Sequence, residues 1–305
     1  MGKGPGLRAF LLPERHRLAG EPSAALSRTL ARANVPEAGA AGEQAQLQRW
    51  FKARPSGWPL AALQRQAEAV DAGAACWLRA DPVHVRVEMS GARLLGWSNL
   101  GLDAAEADAL ILALSDLLAE DGIDIGRTTP EAWYLRLPPD TVVPDAVAPG
   151  DALGDDLLPH LPAGDAGRRW RRLLNDAQVI LHSHPVNAAR SARGQMAANA
   201  LWLWGGGTLP QQVSSTASCC RSDEPALHAL ARAASIDPGD TPASDAGVTL
   251  LDLRRLRDWT ALEARLRDCN AARTSGGPRL LDFADGTSLL LHPAPRWAFW
   301  RRGDA

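Results

Sequence analysis

The spacing of apolar and polar positions divides the chain into short segments, most of which carry a recognisable period. Residues 7–12 (LRAFLL) read as a first strand, and 23–33 has helical composition. Residues 35–42 are rich in Ala and Gly and predict a loop. Helices follow at 44–51 and 60–72, the second entered through Trp58-Pro59 with the proline near its first turn. Two short strands are predicted at 74–79 and 83–89, separated by Asp81-Pro82. In the second, Val83, Val85 and Val87 alternate with His84, Arg86 and Glu88, the period of a half-exposed strand, and 94–97 is placed to pair with it. Asp103, with Glu106 three residues on, forms a capping box. The helix behind it carries Ala107, Leu110, Ile111, Leu114, Leu117 and Leu118 on one face and stops at Gly122. Residues 123–125 and 133–137 predict strands.

Residues 138–162 hold many Pro, Gly and Asp without a period and predict a linker. The clearest helix follows, with Trp170, Leu173, Leu174, Ala177, Leu181 and His184 on one face and Pro185 as its stop. Residues 198–204 form a strand running into Gly205-Gly206-Gly207. Strands are then predicted at 213–220 and 248–253, and helices at 224–234 and 259–268. Asp285-Gly286 between apolar runs predicts a hairpin, and 297–300 an aromatic strand. Interleaved strands and helices imply an α/β to mixed α+β fold: a central mixed sheet with flanking helices and a C-terminal β-hairpin. The linker divides it into lobes of residues 1–150 and 151–305, or leaves one continuous domain.

Composition narrows the function classes. The 305 residues carry 33 basic and 35 acidic side chains, a formal charge of -2 and a pI near 6.4. A general nucleic-acid binder would show a basic excess. No apolar run is long enough to span a membrane, and the apolar stretch near the N-terminus is too short for a signal-peptide core, so a cytoplasmic location is expected. Cys76, Cys219, Cys220 and Cys269 match no zinc spacing and predict reduced thiols. Eleven tryptophans against four Phe and one Tyr are unusual, and Trp202 and Trp204, two apart on one strand, share a face. They predict a core or an interface, the latter with a protein partner or a second copy. Charge also changes sign along the chain. Fourteen acidic residues and two Arg lie between Gly101 and Asp165, and Arg168, Arg169, Arg171 and Arg172 follow at once. That basic patch is a candidate phosphate contact, with a salt-bridged face as the simpler expectation.

Residues 182–207, HSHPVNAARSARGQMAANALWLWGGG, concentrate polar groups of specific type. His184, Asn187, Arg190, Asn199, Gly205 and Gly207 make a candidate site for a small phosphorylated or carboxylate ligand: Gly lets backbone N–H groups converge on an oxyanion, and Arg offers a bidentate fork. Equally, His184 can be a hydrogen-bonded core residue, and Asn187 and Asn199 can cap backbone groups. His182 and His184 have no third metal ligand nearby in sequence, so neither a metal site nor any other cofactor is predicted.

The run DAQVILHSHPVNAARSARGQMAANALWLWGGGTLP resembles the RpfE-type bacterial regulatory proteins, as do ACWLRADPVHVRVEM, PEAWYLRLP, LLPHLPAGDAGRRWRRLLNDAQ and RWAFWRR. Over its HPVN, Arg, Gly, AN and Gly-x-Gly positions, that family is similar to archaeal-type cofactor-independent phosphoglycerate mutases of the alkaline phosphatase superfamily. The second resemblance implies two metal ions held by Asp and His, and a Ser nucleophile. The residues depart from it. The first Asp in the chain is Asp71, the only histidines after 184 are His228 and His292, and nothing around Ser56 is activating. The expectation is a non-catalytic regulatory protein on a degenerate mutase-related scaffold. The alternative is a metal-dependent phosphotransferase with relocated ligands.

Overall fold

The computed structural model describes residues 6–89, 91–236, 247–271 and 277–292. The chain divides into two compact units: residues 1–52 with 214–305, and residues 53–213. The first unit is therefore discontinuous, with the second inserted into it. The boundaries fall at 52/53 and 213/214, not at 150. The stretch 138–162 is no linker but an integral part of the second unit.

Four elements open the chain: β1 (Leu7–Leu12), α1 (Ala24–Leu30), α2 (Glu43–Trp50) and β2 (Phe51–Arg54). The second unit contributes α3 (Leu60–Ala69), β3 (Cys76–Glu88), β4 (Gly91–Trp97), α4 (Ala104–Ala119), β5 (Asp124–Thr129), β6 (Ala132–Leu137), α5 (Gly164–Ser183), α6 (Pro185–Ala192) and β7 (Ala200–Gly207). β8 (Gln212–Ser215) pairs with β2. The chain closes with β9 (Cys219–Arg221), α7 (Pro225–Ala233), β10 (Val248–Asp252), α8 (Trp259–Ala271), β11 (Arg279–Phe283) and β12 (Ser288–Leu291).

The first unit is built on one mixed sheet in the order β12-β11-β1-β10-β9. β1 runs parallel to β10 and β11, and β10 parallel to β9, while β12 folds back antiparallel on β11 as the expected hairpin. Phe10, Leu12, Leu281 and Phe283 are buried with Trp259, Leu262 and Leu266 of α8, and Leu26 and Leu30 of α1 pack against them.

In the second unit β3 is the spine, paired with β6, β4 and β7. Two strands were expected on either side of Asp81-Pro82, yet β3 runs straight through. The proline is tolerated because β6 pairs with 76–79 and β4 with 83–88, so Pro82 sits in the gap between them, where its missing N–H removes no ladder bond. Alternation then sorts the side chains. Leu78, Ala80, Trp133, Leu135, Leu201 and Leu203 share a core with Leu110, Leu114 and Leu118 of α4 and Trp170, Leu173 and Leu181 of α5. Trp77 and Tyr134, on the opposite face, pack with Ala61 and Ala62 of α3. The expected capping box is present: Glu106 N–H donates to Asp103 (2.8 Å), and Asp103 N–H to Glu106 (3.3 Å).

Residues 138–162 lack a period because their order comes from tertiary contacts. Gly154, Asp155 and Leu157 exchange backbone hydrogen bonds with the outer edge of β4, and the carbonyls of Val142 and Val147 accept the indole N–H groups of Trp170 and Trp202. The single strand expected at 213–220 is two, β8 and β9, in different sheets. The aromatic strand expected at 297–300 lies outside the described residues.

Candidate functional site

The motif segment folds into a clamp. Pro185 ends α5 and begins α6, a helix that the periodicity did not signal. His184 stands between them as N-cap: its Nδ1 accepts the Val186 N–H at 3.2 Å. Asn187 is 3% exposed and donates to the carbonyls of Leu181 (2.7 Å) and Ala198 (2.9 Å), while its Oδ1 accepts the Ala198 N–H. Asn199 pairs its amide with both backbone groups of Val85 at 2.8 Å, extending the ladder beside β3 where β7 has stopped.

Arg190 is fully buried. Its guanidinium donates to the carbonyls of Met196 (3.0 Å), Gly101 (3.2 Å) and Leu100 (2.5 Å) and to the Glu106 carboxylate, which Arg193 also holds at 2.6 Å. Glu106 is the capping-box residue of α4, so Arg190 ties α6 to the start of α4. The fork expected to face a ligand is thus spent on protein acceptors.

The glycines do not form an anion cradle beside it. Gly205 (φ +66°) meets α3, where an added Cβ would come within 3.2 Å of the Leu60 Cβ. At Gly207 (φ +141°) a Cβ would lie 2.9 Å from that of Pro59. Both let β7 approach the start of α3. Gly207→Ala is expected to destabilise the protein by about 1–3 kcal/mol, through overpacking against Pro59 and through a positive φ that alanine adopts poorly. Chemical denaturation would measure this, and an unchanged stability would show that both Pro59 and the backbone at 207 can yield.

The arginines of the basic patch are paired. Arg168 holds Asp165 (2.5 Å), Arg169 holds Asp121 (3.1 Å), Arg172 approaches Asp176 (3.7 Å), and Arg171 donates to the Pro162 carbonyl. The preceding acidic stretch supplies two of those carboxylates.

The chemistry least visible in sequence is the polar face of β3. Asp81 is completely buried. One oxygen takes two bonds from Arg79 (2.8 and 2.5 Å), and the other accepts the indole N–H groups of Trp97 and Trp204, each at 2.9 Å. Arg79 lies over the rings of Tyr134 (4.7 Å) and Trp204 (5.4 Å) and donates to the Tyr134 hydroxyl at 2.9 Å. The hydroxyl in turn donates to Glu68 at 2.9 Å. Burial raises the Tyr134 pKa above the ordinary phenol value. Burial alone would lower that of Arg79, but the adjacent Asp81 outweighs it and keeps the guanidinium firmly protonated. The excess of tryptophan is thus partly a matter of hydrogen bonding: indole N–H groups satisfy a buried carboxylate.

In the first unit the place to look is the carboxyl end of the parallel strands, where open α/β sheets bind ligands. Helix α2 lies there. Gln46 donates to the carbonyls of Leu12 (3.1 Å) and Asp282 (2.5 Å). Arg49 and Trp50 donate to the Asp282 carboxylate at 2.6 and 2.7 Å, and Glu43 pairs with Arg254 at 3.2 Å. Asp252, at the end of β10, accepts from Arg254 (2.7 and 2.9 Å) and the Ser222 hydroxyl (2.7 Å). Burial alone would raise its pKa, but Arg254 holds the carboxyl below the usual range. Ser222, His228 and Asp252 come together but form no nucleophilic triad. The serine hydroxyl donates to Asp252, and His228 bonds the serine carbonyl instead of its Oγ. Burial pushes Cys220 up to about 12, which leaves it an inert thiol.

No protein-family model matches the chain. A stretch of 117 residues, 37% of the chain, is 32% identical to a probable 2,3-bisphosphoglycerate-independent phosphoglycerate mutase of Geobacter sulfurreducens and covers 28% of that protein. Over 87 residues, 28% of the chain, it is 37% identical to the 2,3-bisphosphoglycerate-independent phosphoglycerate mutase of Methanothrix thermoacetophila, covering 22% of it. The matches therefore span less than a third of these relatives' length. Among solved structures, the cofactor-independent phosphoglycerate mutase of Thermoplasma acidophilum aligns with a TM-score of 0.36 at 15% identity, over 95% of this chain and 90% of that one. The PH0037 protein of Pyrococcus horikoshii aligns with a TM-score of 0.43 at 14% identity, over 96% and 88%. The chain thus bears a distant sequence similarity to cofactor-independent phosphoglycerate mutases.

A mutase-type site would need open carboxylate and imidazole ligands for metal ions. The donor set at the strand ends does not fit. Asp252 and Asp282 are already saturated by guanidinium, indole and hydroxyl donors, and cationic Arg254 and Arg49 stand against them. Among the described residues no group of three or more His, Cys, Asp or Glu is placed to hold a metal ion. None of their helices is long and apolar enough to cross a membrane.

Proposed function

We propose that this chain is a non-catalytic regulatory protein of RpfE type, built on a phosphoglycerate-mutase-related scaffold and lacking phosphoryl-transfer chemistry. The seating of α2 across the carboxyl ends of β1, β10 and β11 carries this reading. Its Gln46, Arg49 and Trp50 occupy the crevice in which a parallel sheet binds its substrate and tie up Asp282, while its Glu43 pairs with Arg254, the guanidinium that neutralises Asp252.

A coupled assay of 3-phosphoglycerate isomerisation, run on the full chain with manganese or magnesium, tests it. No turnover above the protein-free blank is expected. Saturable turnover that a chelator abolishes would establish the metal-dependent phosphotransferase instead. The regulatory role acts through a small ligand or a protein partner in the cytoplasm, and mass measurement in solution separates a self-associating chain from one that waits for another protein.

A further inference from the structure

The second unit contains a cleft that none of this chemistry uses. Its volume is about 440 Å³, within the range of small-molecule sites. Strand register builds it: Trp77 of β3 lies opposite Arg136 of β6, and Arg136 opposite Asp124 of β5, so the three side chains stand in one row on one face. That is the face on which α3 packs, and α3 ends at Ala69, leaving the row open. Residues 72–75, Ala-Gly-Ala-Ala, border the cleft without bulky side chains.

Arg65 of α3 forms one wall and is held rigidly. Asp71 binds its Nε and one terminal nitrogen at 2.6 and 2.5 Å, and its guanidinium carbon lies 5.0 Å from the Trp77 ring centre and 5.6 Å from that of Tyr134. The second terminal nitrogen has no hydrogen-bond partner among the described residues. Arg136 and Asp124 are exposed, and neither has an ion-pair or side-chain hydrogen-bond partner among them. With Arg65 and Asp71 cancelling, the cleft offers one uncommitted cation and one uncommitted anion on neighbouring strands, beside a fixed guanidinium edge.

We propose that this cleft binds a small zwitterion of free amino-acid type. Its carboxylate is received by Arg136 and the open edge of Arg65, its ammonium by Asp124, and its side chain rests against Trp77. A simple anion satisfies only the arginines and leaves Asp124 facing like charge. The cleft lies wholly within the second unit, so the proposal stands whether or not the first unit turns over phosphoglycerate.

Isothermal titration of the full chain with each proteinogenic L-amino acid tests it. Pyruvate serves as the carboxylate-only probe, ethylamine as the ammonium-only probe, and inorganic phosphate as the plain anion. The expected result is saturable binding of at least one amino acid, with each control about tenfold weaker or more. Asp124→Asn and Arg136→Gln, both on the surface, should each weaken amino-acid binding about tenfold while the melting temperature stays unchanged. Failure of every amino acid to saturate at about 10 mM would overturn the proposal, as would variants that bind like the parent chain or phosphate binding as tightly as the best amino acid.

Discussion

Asp81→Ala is expected to cost the second unit about 3–5 kcal/mol, because it leaves a buried guanidinium without its counter-charge. Asp81 is completely inaccessible and Arg79 is 5% exposed, so water cannot replace the lost partner. Two indole donors are orphaned at the same time, Trp97 and Trp204. The double variant Arg79→Met/Asp81→Leu separates the two contributions. It removes both charges, which in an ordinary buried pair is often nearly neutral. Here it should stay destabilised by about 2 kcal/mol or more, since the indole N–H groups still lack an acceptor. Urea denaturation followed by tryptophan fluorescence reports both, because Trp97 and Trp204 are among the chain's eleven fluorophores. A loss below about 1 kcal/mol for Asp81→Ala would mean that water reaches the network.

Arg190→Ala should be of similar size, about 3–5 kcal/mol, and should appear in the protein without any ligand. The side chain joins three backbone carbonyls and the Glu106 carboxylate, so its removal strands several buried acceptors at once and loosens the start of α4. Arg190→Lys should fail to restore stability, because one ammonium cannot span acceptors that a planar fork reaches together. Denaturation of the three proteins decides the matter. If Arg190→Ala unfolded like the parent chain but lost affinity for phosphorylated three-carbon acids, the side chain would be a ligand contact and the clamp would be wrong.

These two sites mark what the sequence did and did not disclose. Segments with a local period are legible: the capping box at Asp103 and Glu106, the apolar face of α4, the stripe of α5 from Trp170 to Leu181 and the hairpin at Asp285-Gly286 all lie where the pattern puts them, whereas His184, expected on that stripe, leaves the helix as a cap. Local patterning could not show that β3 continues through Pro82, since that depends on which neighbour pairs where. Nor could it find α6, whose eight residues begin at the proline that ends α5. The motif residues stand out by type, but the sequence leaves their chemistry open. Asn, Arg and Gly serve an anion or a backbone clamp equally well, and only the positions of Leu100, Gly101 and Met196 decide between them. Arg79 and Asp81 gave no signal, because two charged residues in an alternating strand look solvent-facing until the helix covering that face is known. The tryptophan excess was the nearest hint, through donors that needed a buried acceptor.

The discontinuity of the first unit also sets an order of events during synthesis. Leu7 pairs with Val248 and Arg8 with Arg279, so β1 leaves the ribosome long before either neighbour exists. The inserted unit needs nothing beyond residue 213 and can finish folding while its host is half made. Until β10 and β11 emerge, LRAFLL remains an apolar strand with two bare edges, the kind of segment that chaperones hold and that aggregates when left unheld. Release of nascent chains at successive lengths should therefore yield protease-resistant second unit well before any resistant first unit.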